Sequence, residues 1–112
     1  MPSFANPFPS AVTRRMTNSE LLRAIRLEIA NEHEAIALYE AHAEASPNPL
    51  AAKVFRDIAT EEQVHVHELQ TLLYILDKDE YTASGEGASE VLEMAAKSGI
   101  DTTNIHKAVP SK

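Results

Sequence analysis

The segment TEEQVHVHEL, residues 60–69, packs three glutamates and two histidines into ten positions. Carboxylate oxygens and imidazole nitrogens are donors that hold divalent metal ions. The chain contains no cysteine. A disulfide, a thiolate site and an iron–sulfur cluster are therefore excluded, and any bound metal must be held by oxygen and nitrogen. On a helix, side chains three or four residues apart share a face, and those two apart do not. Glu62 and His65 thus form a pair, about 4.5 Å apart along the axis. His67 lies about 140° round the helix from Glu62.

The apolar pattern decides which of these residues face inward. Leu22, Ile25, Ile29, Ile36 and Tyr39 recur at helical spacing, and the position missing from their series is Glu32. Ala51, Phe55, Ile58, Leu69, Leu72 and Leu76 form a second stripe, with Leu73 beside it, and this series passes through Glu62 and His65. His65 is expected to face inward and His67 outward. Between the stripes stands SPNP, residues 46–49, a turn sequence. Glu32 lies about 15 residues before the turn, Glu62 about 15 after it and His65 about 17 after it, so antiparallel helices bring all three to one level.

A single inward histidine is ordinarily a core residue with a satisfied hydrogen bond, and a single inward glutamate a registry or salt-bridge device. Two carboxylates and an imidazole buried together without a cation cost several kcal/mol. No lysine or arginine stands on the stripe at that level, so a metal ion is the expected counter-charge. His33, Glu34, His42, Glu61, His67 and Glu68 read as solvated helix surface.

Glu-x-x-His on one helix with a Glu on its neighbour is half of a carboxylate-bridged dinuclear site. A two-fold dimer would supply the other half, placing two ions per dimer near the axis. Oxygen-rich ligation with one imidazole per ion favours iron or manganese over structural zinc, with zinc and manganese left open as alternatives. Two carboxylate-bridged ions suit the oxidation of Fe(II) by dioxygen.

These residues need long helices to hold them. Residues 1–16, with three prolines and two phenylalanines, read as an extended N-terminal arm and not as a signal peptide. Thr17-Asn18-Ser19-Glu20 fits a capping box. A helix follows up to Ser46-Pro47, and Asn48 with Pro49 starts a second that runs to about Asp77. TASGEGAS, residues 82–89, reads as a loop before a short third helix over about 89–98, stopped by Gly99. Residues 17–99 form the domain and 100–112 a tail. The fold class is all-α: an antiparallel two-helix hairpin plus a short C-terminal helix. Two such helices cannot bury their stripes completely against each other, so the expected remedy is a four-helix bundle formed by dimerisation. The chain is short, at 112 residues, and its 17 acidic against 10 basic residues give a net charge of −7. That balance argues against nucleic acid and anionic membranes and favours cations. No stretch has the length of a membrane span, and a cytoplasmic location is expected.

NEHEAIALYEAHAEAS followed by IATEEQVHVHELQTLL resembles the ferritin-like superfamily. It is most similar to the encapsulated ferritins, which are housed in encapsulin shells. The likeness covers residues 17–77. It implies that Glu32, Glu62 and His65 are ferroxidase ligands of a di-iron centre shared between two subunits, with Tyr39 beside it. It also implies a homodimer assembling into a decamer, an encapsulin shell partner, and iron mineralised for storage in the shell lumen. Asn31 and Leu38 depart from an acid and a tryptophan common in that family. Glu34 remains, beside His33, as an altered outer metal-attracting site. Two other readings stand: a rubrerythrin-like di-iron peroxidase, for which a chain without cysteine needs electrons from a partner, and a non-enzymatic, metal-stabilised cargo or adaptor protein.

Overall fold

The computed structural model describes residues 14–104, which hold three α-helices and no strand. Most of the expected N-terminal arm and most of the tail lie outside the described residues. Helix α1 spans Asn18–Ala45. Thr17 Oγ1 accepts the Glu20 N–H at 3.1 Å, and Glu20 Oε1 accepts the Thr17 N–H at 2.9 Å, the reciprocal bonds of the capping box. Arg14 donates twice to the same carboxylate, each time at 2.8 Å. The Arg14 guanidinium and then the Thr17 N–H hold the Glu20 carboxyl well below the usual carboxylate range.

Helix α2 spans Pro49–Leu76. Asn48 Oδ1 accepts the N–H groups of Leu50 and Ala51 at 2.9 and 3.0 Å, so one side chain satisfies two of the donors that a helix start leaves open. Pro49, at the first helical position, has no N–H to satisfy. Ser46–Asn48 is all that separates the helices, and α1 and α2 pack as an antiparallel hairpin. Near its open end, Arg26 Nη2 lies 3.4 Å from Asp77 Oδ2. Asp77, which caps α2, leaves the helical conformation at φ −135° and ψ 101°.

The buried seam of this hairpin is narrower than the expected stripes and lies one row over. Its members are Ile25, Ala43, Ala52, Ala59, Val66 and Leu73. The four on α2 recur every seven residues, the spacing of a two-helix seam, and alanines there let the helices approach closely. Of the residues expected inside, Ile25 and Leu73, which was placed beside the second stripe, are buried. Phe55, Ile58 and Leu69 are half-buried, and Leu72 and Leu76 are exposed. The reason is geometric. A helix facing a single neighbour covers one row of side chains, and the adjacent row needs another layer to cover it.

Helix α3 spans Lys78–Lys97, so the expected loop at residues 82–89 is helical and the third helix begins eleven residues early. Gly85 and Gly87 cost about 1 kcal/mol each in a helix interior but do not forbid it, and no proline interrupts the segment. Asp79 and Glu80 stand in the first turn and Lys97 in the last, matching the helix dipole. The end is as expected: Gly99 adopts φ 72°. The Ile100 N–H donates to the Ala95 carbonyl and the Gly99 N–H to that of Ala96, which is the Schellman stop. No described helix is long and apolar enough to cross a membrane.

Candidate metal centre

Glu32 stands near the middle of α1, and Glu62 and His65 stand near the middle of α2. The short turn and the antiparallel packing bring them together. One donor atom from each lies within 4.8 Å of the others. His65 Nδ1 is 3.7 Å from Glu62 Oε1 and 3.9 Å from Glu32 Oε2, too far for hydrogen bonds. Glu32 Oε2 is shut off from solvent and has no hydrogen-bond partner, although its side chain as a whole is 23% exposed. Leaving a buried acceptor unpaired costs about 1–3 kcal/mol. An ion held at about 2.1 Å from each donor would set them about 3.0–3.4 Å apart at right or tetrahedral angles. The two His65 separations, 3.7 and 3.9 Å, would therefore close by about 0.3–0.9 Å, and the widest donor pair, within 4.8 Å, by at most about 1.8 Å. The arrangement fits a divalent ion, and among the described residues neither Glu32 nor Glu62 has a lysine or arginine to take its place.

His65 corrects one expectation. Its side chain is 50% exposed, not turned into the hairpin. It lies about 100° round α2 from the buried Val66, so it faces the open edge with the half-exposed row of Phe55, Ile58 and Leu69. The three donors thus sit on a face of the hairpin that remains open to another layer.

The other candidate residues lie outside this cluster. His33 and Glu34 are exposed on α1, and Glu61, His67 and Glu68 are exposed on α2. Tyr39 is half-buried, with its ring centroid 6.1 Å from that of Phe55. His42 meets the other side of the contact edge-on, 6.0 Å from Phe55. Sequence spacing did not single out this aromatic trio, because His42 falls off the stripe that Tyr39 and Phe55 define.

Comparison with known proteins agrees with the fold. The crystal structure of the encapsulated ferritin domain from Pyrococcus furiosus superimposes with a TM-score of 0.74 at 36% identity, covering 81% of this chain and 93% of that one. The encapsulin nanocompartment cargo protein EncC of Myxococcus xanthus is 33% identical over 109 residues, which is 95% of this chain and 84% of that protein. A ferritin-like-encapsulin shell fusion protein of Pyrococcus furiosus is 40% identical over 78 residues, covering 70% of this chain and 23% of the fusion. The Rubrerythrin family profile matches residues 15–111. The chain therefore belongs to the rubrerythrin family of ferritin-like proteins.

Proposed function

We propose that this chain is a ferroxidase that works as a homodimer inside an encapsulin shell, within the cytoplasm. The observation that carries this reading is the unpartnered Glu32 oxygen in a three-donor cluster at the open edge of the hairpin. Glu32, Glu62 and His65 bind Fe(II), the substrate, and the same residues of a second copy complete a two-iron site. Four carboxylates from two copies balance the charge of two Fe(II) ions. Each pair of ions yields two electrons, which dioxygen takes with two protons to leave as hydrogen peroxide, and two Fe(III) ions remain. Covering the half-exposed row beside His65 with a second hairpin removes apolar surface from water as it assembles the site. Tyr39, held on Phe55, serves as a supporting residue near the centre, and Glu34 with His33 attracts metal from the outer surface of α1. The shell assignment draws on the relatives, whose names mark them as encapsulin cargo or shell fusions.

Aerobic addition of Fe(II) tests the reading. The wild type and His67→Ala should oxidise iron at the same rate, while Glu62→Ala should fall to the rate of buffer. Equal rates in all three would sink it, and a monomer at every iron concentration would contradict the shared site. The family match also favours a peroxidase reading. Faster turnover with hydrogen peroxide and a reductant than with dioxygen would select it.

A further inference from the structure

His65 has two ring nitrogens, and the cluster accounts for one of them. Nδ1 lies 3.7 Å from Glu62 Oε1 and 3.9 Å from Glu32 Oε2, so it is the nitrogen turned towards the ion. A neutral imidazole that gives one nitrogen to a metal carries its proton on the other. Nε2 is then an N–H donor. A metal-bound histidine almost always donates this second hydrogen to an acceptor, which fixes the tautomer and the plane of the ring. Among the described residues no hydrogen bond holds the His65 ring, and its side chain is 50% exposed.

The helix offers few acceptors. At about 100° per residue, Glu62 stands about 60° to one side of His65, towards the buried seam. Glu61 stands about 40° to the other side, and Glu68 about 60° to that same side. Side chains lean towards the N-terminus of their helix, so the His65 ring lies over the turn that holds Glu61 and Glu62. Glu68 lies behind it, as does Glu28 of α1, which the antiparallel packing sets beside the turn after His65. Glu61 is exposed, and among the described residues its side chain makes neither an ion pair nor a hydrogen bond. It precedes His65 by four residues, the spacing at which helical side chains are neighbours. We propose that Glu61 is the positioning residue of the metal centre: its carboxylate accepts the Nε2–H of His65 and holds the ring with Nδ1 aimed at the ion. This rests on the metal centre argued above and on no step of the iron chemistry. The two adjacent glutamates of TEEQVHVHEL then divide the work, Glu62 holding the ion and Glu61 holding its ligand.

Binding of Mn(II) to the full chain, followed by the electron paramagnetic resonance of the free ion, tests this without turnover. The wild type should bind and Glu62→Ala should not. No binding by the wild type, or undiminished binding by Glu62→Ala, would refute the centre itself. With the centre in place, Glu61→Ala should weaken binding about tenfold or more. Glu61→Gln loses the charge but keeps an acceptor oxygen, and should stay within about threefold of the wild type. Glu68→Ala removes the same charge from the same side and should bind as the wild type does. Equal binding by Glu61→Ala and the wild type would show that water serves Nε2, and would overturn the proposal. A fall in Glu61→Gln or Glu68→Ala as deep as that in Glu61→Ala would show that charge alone acts, and would overturn it as well. Melts in chelator separate positioning from a structural role: Glu61→Ala should melt no lower than the wild type, and a lower melt would overturn the assignment.

Discussion

Replacing Glu32 with leucine should make the metal-free protein more stable and remove its response to metal. Glu32 Oε2 is buried without a hydrogen-bond partner, and an orphaned acceptor costs about 1–3 kcal/mol. Because the side chain is 23% exposed, the lower figure applies, and Glu32→Leu should recover about 1 kcal/mol. For a domain of this size that raises the melting temperature by about 4 °C. The wild type should respond the other way. A divalent ion at a hundred times its dissociation constant adds about 2.7 kcal/mol to the native state, or about 10 °C. Circular dichroism melts in chelator and in Mn(II), which avoids oxidation, measure both effects. The variant should start above the wild type and end below it. A variant that melts lower in chelator, or gains as much from Mn(II) as the wild type, would refute the claim that the carboxylate is held for a cation.

Three further substitutions probe the frame. Leu73 is 2% exposed and Leu76 39%, so Leu73→Ala should cost about 2–4 kcal/mol in urea unfolding and Leu76→Ala clearly less. Asn48→Ala removes the acceptor of two N–H groups and should cost about 1 kcal/mol by the same assay. The Glu20 carboxyl is held below its ordinary range when folded. Its contribution is therefore fully present above the unfolded value of about 4.3 and is lost as pH falls towards the folded one. Amide exchange at Leu21 and Leu22 should accelerate over that acid range in the wild type, and Glu20→Ala should remove the dependence.

Local chemistry was legible in the sequence wherever one residue decides one structure. Thr17 and Glu20 mark the start of α1, Asn48 and Pro49 mark that of α2, and Gly99 ends α3. Each supplies a bond or a dihedral that its neighbours cannot. The level shared by Glu32, Glu62 and His65 was legible for a similar reason: a turn of three residues leaves the register of the hairpin almost no freedom. The seam was harder to place. Its row on α2, with Ala52, Ala59, Val66 and Leu73, is turned about 70–90° from the row of Ile58 and Leu69. Alanine is a weak marker of burial, so the larger residues of the adjacent row dominated the pattern. The extent of α3 was missed because two glycines resemble a loop when each is weighed locally, although their cost is spread over twenty helical residues.

The displacement of the seam from the site has a functional consequence. Had the three donors stood in the buried row, two carboxylates would interrupt the contact that holds the hairpin together, and folding would depend on metal. Instead Ala52, Ala59, Val66 and Leu73 carry the contact, and Glu62 and His65 occupy the neighbouring row, where water still reaches the imidazole. The hairpin can therefore form first and wait for its cation, with the unsatisfied cost confined to one oxygen of Glu32. The same row carries Phe55, Ile58 and Leu69, whose half-exposed surface only another layer can cover. Under the two-copy reading, apolar burial and metal charge act on one surface and in one direction. Each should then strengthen the other, so tighter association and tighter metal binding are expected to rise and fall together.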